Sequence, residues 1–265
     1  MSSAIHVIPD PAQLLAEARA AIVKSRYFQH GRTDRYGHVV GLREYPAGRV
    51  PTDHQVHHYD QAGRVILFEK YTRDFSKPTY RLYRYAGNVM NEAIWIDRYG
   101  HIEHHHCFQY DRVTGQMVWR AEYQPDGTLF YSVASTYDSV GNLIEDAYFD
   151  RNDVFVKREA YEHDKAGDVT RERFYDHENA LVGFNTFTYD KQRRLTARIW
   201  HGPDGVRRSR FAYTYDRQDR LSRLTVYGPT DKNPLVQEFT YDDVGSVTRE
   251  RWMEASGQVV KELVF

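Results

Sequence analysis

Little in this chain can hold it together covalently or anchor it in a bilayer. Cys107 is the one cysteine in 265 residues, which excludes an intramolecular disulfide and suits a reducing compartment. No apolar run approaches the roughly 18 residues that a membrane-spanning helix needs. Residues 1 to 10 also lack the basic start and apolar core of a secretory signal. A cytoplasmic protein with no membrane contact is therefore expected. Charge of neither sign dominates: the formal net charge is -1, so nucleic acid is not an expected partner. Also missing are a phosphate-cradling glycine loop and a Ser, His, Asp arrangement. No catalytic residue and no cofactor is expected. The mean hydropathy is -0.72, and much of the apolar content is 21 Tyr and 13 Phe, residues that can lie half-buried with a polar tip in water.

What the chain does have is a period. Tyr137-Asp138, His163-Asp164, Tyr189-Asp190, Tyr215-Asp216 and Tyr241-Asp242 follow one another at 26 residues. Four residues after each aromatic stands Gly141, Gly167, Arg193, Asp219 or Gly245, and two further on Leu143, Val169, Leu195, Leu221 or Val247. Looser copies begin at Tyr110-Asp111, Tyr85, Tyr59-Asp60 and Thr33-Asp34. A fixed period of this size means one supersecondary unit stacked on itself.

Within the unit the period falls to 2. Phe211, Tyr213 and Tyr215 share one side of an extended strand, as do Phe187 with Tyr189, Phe239 with Tyr241, and Phe108 with Tyr110. The Asp that follows accepts a local backbone bond, and the Gly takes positive φ. A second turn comes about 13 residues later, at Pro46-Ala47-Gly48, Tyr99-Gly100, Pro125-Asp126-Gly127, Pro203-Asp204-Gly205 and Ser256-Gly257. Short turns admit only antiparallel pairing. The expected fold is all-β: a long antiparallel meander of about 16 to 18 strands over residues 31 to 265, coiled on itself because open sheets of more than about 10 strands curl or split. Residues 1 to 30 differ. Asp10-Pro11 is a helix start, and Leu14, Leu15, Ala18, Ala21 and Ile22 follow at helical spacing. One helix over about residues 10 to 28 is expected, capping the exposed edge or open mouth of the repeats.

The strings YDQAGRV, YDSVGNL, HDKAGDV and YDDVGSV resemble the tyrosine-aspartate repeat, YDxxGRL, of bacterial rearrangement-hotspot and insecticidal-toxin shell proteins. The resemblance covers residues 33 to 265. It implies one β-hairpin per repeat, paired into a spiralling sheet that in the large relatives encloses a toxic domain. The DPxG run that ends the repeats there is missing here, and the chain is short for a shell. The resemblance therefore implies a repeat protein that binds a protein partner, most concretely an immunity or antitoxin protein that neutralises a toxin domain. The alternative is a carbohydrate-binding module that uses the aromatic ladders.

Charge supplies the candidate interface. Residues 191 to 223 carry a local net charge of +7 and residues 138 to 190 one of -7. Arg194, Arg198, Arg207, Arg208 and Arg210 in the first block, and Glu145, Asp146, Glu159 and Glu172 in the second, are the candidate partner-binding residues, since local potential governs encounter. The bland reading is that the two blocks pair across strands. His104 and His106 share a strand face beside Cys107, but zinc needs three or four converging ligands. The strands carrying His57 and His105 should lie roughly 19 Å apart at about 4.8 Å per strand. No metal is expected. The Asp of each repeat is read as turn chemistry, since calcium requires clustered oxygens.

Overall fold

In a computed structural model, the structure describes residues 10–30, 42–45, 54–73 and 77–265. The repeat copy at Thr33-Asp34 and the turn at Pro46-Ala47-Gly48 lie outside them. The protein is all-β, with antiparallel strands and one helix, and it divides into two compact units. The first comprises residues 1–134 and 148–155, the second residues 135–147 and 156–265.

The helix α1 (Pro11–Ala20) starts where the sequence places it: the Asp10 carboxylate accepts from the Ala12 amide at 3.2 Å, with Pro11 in the first turn. It ends earlier than expected, and residues 24 to 30 form a strand, β1 (Lys24–His30). The β-branched pair Ile22-Val23 favours extended backbone, and β1 gains ladder bonds from two neighbours. It lies antiparallel to β2 (Leu42–Tyr45) on one side and β3 (His54–Tyr59) on the other. From β3 the first unit continues in sequence order through β4 (Val65–Tyr71), β5 (Thr79–Ala86), β6 (Val89–Ile96), β7 (Ile102–Tyr110), β8 (Met117–Tyr123) and β9 (Leu129–Tyr137), each antiparallel to the last. Among the described strands of the first unit, β1 departs from a simple meander by lying between β2 and β3.

The helix covers a sheet face and not an edge. Leu14 is buried with Leu67, Leu82, Ile94, Ile96 and Ile102, and Leu15, Ala18 and Ile22 pack around them. An apolar helix stripe gains most by covering apolar side chains, and a strand edge offers mainly backbone polar groups.

The second unit holds β10 (Leu143–Asp150) in part, then β11 (Phe155–His163), β12 (Val169–Tyr175), β13 (Leu181–Tyr189), β14 (Leu195–His201), β15 (Arg207–Tyr215), β16 (Leu221–Tyr227), β17 (Leu235–Tyr241), β18 (Val247–Met253) and β19 (Val259–Val264). From β11 to β19 each strand pairs with the next, antiparallel. Eighteen described strands, β2 to β19, thus follow residue 33, as the hairpin spacing requires.

Each letter of the repeat has a physical use. At Asp138 the amide donates to the Asn142 carbonyl (2.9 Å), the carbonyl accepts from the Gly141 amide (3.2 Å), and the carboxylate accepts from the Val140 and Asn142 amides (3.0 and 2.8 Å). The same set recurs at Asp60, Asp164, Asp190, Asp216 and Asp242, with positive φ at the fourth turn residue even where it is Arg193 or Asp219. The tyrosine of one repeat donates its hydroxyl to a carbonyl at the start of the preceding strand. Tyr85 bonds Val65, Tyr189 bonds Val169, Tyr215 bonds Leu195 and Tyr241 bonds Leu221, at 2.8 to 2.9 Å. Where Arg follows the turn it pairs with the turn Asp and lies over the next tyrosine ring: Arg64 on Asp60 and Tyr85, Arg194 on Asp190 and Tyr215, Arg220 on Asp216 and Tyr241.

These turns make the fold acid-sensitive. The Arg64 guanidinium holds the Asp60 carboxyl below its ordinary value, and backbone amides do the same for Asp138, Asp150 and Asp190. A carboxyl depressed in the folded state stabilises above its unfolded value of about 3.9 and loses that stabilisation as pH falls through the folded value. The carboxyl contribution should therefore be flat from about pH 6 to 5, and the melting temperature should drop steeply below about pH 4. A shallower loss precedes that drop, below about pH 6.5, from His57 and His106, which burial holds below the ordinary histidine value. Thermal melts followed by circular dichroism across that range check it, and Asp138→Asn should shallow the acid slope. A melting temperature that rises on acidification would contradict this account.

Candidate functional site

The structure disperses the charge blocks into local pairs. Arg194 donates to Asp190 at 2.7 Å and to Asp219 at 2.5 Å. Arg208 pairs with Asp204 (2.7 Å), and Arg207 and Arg210 approach Asp231 at 2.9 and 3.8 Å. Arg198 lies over the Phe211 ring at 4.5 Å. On the acidic side Glu145 pairs with Arg158 at 2.8 Å, and Asp146 is 5% exposed and accepts from Ser135 at 2.5 Å. Glu159 accepts from Lys157 (2.7 Å) and from the Tyr161 hydroxyl (3.0 Å), and Glu172 from Asn185 (2.9 Å). Asp146, Glu159 and Glu172 recur every 13 residues and gather around Tyr161: burial first, then the charges of Glu159, Glu172 and Asp146, push its hydroxyl well above the ordinary tyrosine value. Two ion pairs among the described residues run from block to block, Arg193 to Asp168 at 2.8 Å and Arg194 to Asp190 at 2.7 Å. Arg208 remains half-exposed on its turn, whereas Asp146 has no access to a partner.

Large apolar side chains, which the charge argument passes over, stand in solvent. Val113, Val140 and Val244 are 92%, 81% and 86% exposed, and each is the second residue after a turn Asp, with its own amide bound to that carboxylate. The strand β19 is open on both faces, leaving Val259, Val260 and Val264 exposed together with the neighbouring Phe265. The repeat pattern marks the residues between Asp and Gly only as variable, so this apolar choice is visible in the sequence once the turn is known.

Strand β7 carries two clusters of metal-ligating groups on its two faces. On the face shared with the helix-covered core, Glu92 of β6 lies directly opposite Cys107, and Ile94 opposite His105. The His105 Nε2 stands 2.6 Å from Glu92 Oε1 and 3.6 Å from Cys107 Sγ. Burial, with the Glu92 charge added, pushes the thiol up to about 12. On the other face Glu122 of β8 lies opposite His106 and approaches His104 Nδ1 at 2.7 Å. Here His106 is held below the ordinary histidine value, chiefly by burial, and it packs edge-on against Trp95 at 4.5 Å. The sequence reading placed the histidine-bearing strands too far apart to converge. It did not count carboxylates from the strands paired to β7, which only the register supplies.

Fold and surface together define a β-hairpin repeat protein whose strand β19 exposes apolar side chains on both faces. No family model and no curated protein matches the chain. Among solved structures it is similar to the Tc holotoxin pore of Photorhabdus luminescens in a TccC3 point variant, at a TM-score of 0.50 and 13% identity, over 92% of this chain and 13% of that one. TcdB2-TccC3 is matched at a TM-score of 0.41 and 13% identity, over 87% of this chain and 16% of that one. The chain thus spans less than a fifth of the length of these structures, and the likeness shows the fold alone.

Proposed function

We propose that the protein is a non-catalytic, protein-binding repeat protein of a bacterial toxin system, most concretely an immunity-type protein that neutralises a toxin domain. The observation that supports this reading is the run of exposed apolar side chains on β19 and Phe265, open on both faces of that strand. Contiguous exposed apolar side chains cost solvation unless a partner covers them, and apolar anchors of this kind carry most of the energy of a protein interface. The repeat resemblance and the Tc holotoxin fold point to toxin systems as the setting. Carbohydrate stacking is less well supported, because guanidinium groups already lie over Tyr85, Tyr175, Tyr215 and Tyr241.

The test is binding to the product of the neighbouring gene, which this reading expects to carry a toxin domain, measured by titration calorimetry. Val260→Glu with Val264→Glu should weaken binding at least about tenfold while leaving the melting temperature unchanged. Arg194→Glu should do the reverse: it sets a third acid beside Asp190 and Asp219, lowering stability without a specific loss of binding. Equal affinity in the valine variants would remove β19 as the interface. No binding to the neighbouring product, with retention on immobilised glycans instead, would overturn the reading.

A further inference from the structure

We propose that Glu92, His105 and Cys107 form a binding site for a borderline divalent cation of the zinc type, built on β6 and β7 within the first unit. The inference does not depend on the toxin-system reading.

The first argument is geometric. An imidazole nitrogen, a carboxylate oxygen and a sulfur, all potential ligand atoms, lie within 4.8 Å of one another. Bonds of about 2.0 to 2.3 Å in a tetrahedral site put ligand atoms roughly 3.3 to 3.8 Å apart. The Sγ to Nε2 distance of 3.6 Å already matches such an edge, and the Nε2 to Oε1 distance of 2.6 Å has only to open. Two protein strands fix all three groups: His105 and Cys107 are two residues apart on one strand face, and Glu92 is the direct ladder partner of Cys107.

The second argument is that the repeat does not ask for these residues. The positions equivalent to His105 and Cys107, counted back from the repeat aromatic, hold His54 and Val56, Tyr80 and Leu82, Ser132 and Ala134, Arg158 and Ala160, Phe184 and Thr186, Arg210 and Ala212, and Val236 and Glu238. An aspartate present at every turn is explained by the turn, but a histidine together with the chain's one cysteine on one strand face occurs in a single repeat and is not. Architecture therefore leaves them unexplained, exactly where a carboxylate meets them.

The third argument is the surrounding shell. His105 is fully buried beside Ile94, itself fully buried, and the half-buried Glu92 and Cys107 stand against it, so the three groups are held together largely away from bulk water. Arg84 holds the second Glu92 oxygen at 3.1 Å, leaving Oε1 turned to His105. An outer partner that aims a ligating carboxylate in this way is the usual support of a metal site. Nitrogen, oxygen and thiolate sulfur together suit zinc or cobalt and suit calcium or magnesium poorly. Binding releases the thiol proton to solvent, so affinity should rise with pH.

The rival location is the cluster of His104, His106 and Glu122 on the opposite face of β7, which contains no sulfur. That difference makes the test decisive. Tag-free full-length protein, stripped with a chelator, is titrated with cobalt(II) and separately with zinc(II). Wild type and His104→Ala/His106→Ala should both show the near-ultraviolet thiolate-to-cobalt charge-transfer band at one equivalent, with zinc displacing cobalt. Cys107→Ser should lose the band and weaken zinc binding at least about tenfold, and Glu92→Gln should weaken binding while keeping the band. Circular dichroism establishes that each variant is folded, and the Glu92→Gln variant decides the matter should Cys107→Ser unfold. Cobalt binding without a thiolate band, or zinc affinity lost in His104→Ala/His106→Ala and kept in Cys107→Ser, would overturn the proposal in favour of the opposite face. No binding to wild type at all would overturn it outright.

Discussion

Replacing Leu67 with alanine is expected to cost the first unit about 2 to 5 kcal/mol, the range for removing a fully buried leucine and leaving its space behind. Leu67 has no exposed surface and sits within the cluster of Leu14, Leu82, Ile94, Ile96 and Ile102 that joins α1 to the sheet. Its surroundings cannot easily collapse into the vacated volume, because β4 is held by ladders to β3 and β5 on both sides. Leu14→Ala, which empties the helix side of the same cluster, should cost a similar amount. Urea unfolding followed by far-ultraviolet circular dichroism measures both. A loss below about 0.5 kcal/mol for Leu67→Ala, the scale of an ordinary surface change, would mean that this cluster is not what holds α1 to the sheet.

Gly183→Ala is the second large effect, and its cause is space. A methyl group on Gly183 would lie 2.5 Å from the His201 carbonyl oxygen and 2.5 Å from two atoms of the Trp200 ring. The ring could turn aside, but the carbonyl belongs to β14, which is laddered to β13, so the strand itself would have to move. Overpacking of this kind costs about 1 to 3 kcal/mol. Gly245→Ala is the useful contrast. There φ is +88° and nothing stands within 4 Å, so the cost of about 1 to 2 kcal/mol is that of the left-handed backbone alone. Adding Trp200→Ala should not rescue Gly183→Ala, because the carbonyl remains. Full recovery in the double variant would show that the ring was the obstacle.

How much was legible in the sequence follows from how local each interaction is. The hairpin turns were readable because everything they need lies within five residues: Asp138 bonds the amides of Val140 and Asn142, and Gly141 takes the positive φ. Strand alternation and the start of α1 at Asp10 and Pro11 were readable for the same reason. The strand β1 was not. Its residues continue a helical pattern, and only its partners β2 and β3, distant in sequence, make it extended.

Charge, too, was legible only along the chain. Arg194 and Arg208 belong to a basic block when read along the chain, yet in space each stands beside an aspartate. The repeat tyrosine could be read as one rung of an aromatic ladder, but its hydroxyl bond to a carbonyl of the preceding strand required the fold. The sequence by itself thus determined the hairpin, its turns and its antiparallel stacking. The tertiary structure decided which residues of different hairpins meet, including Glu92 with His105 and Cys107. The physical reason is that a turn is closed by short-range backbone bonds, whereas cross-strand neighbours depend on register, and each bulge, such as the one between Trp95 and Ile96, shifts that register by a residue and exchanges the faces beyond it.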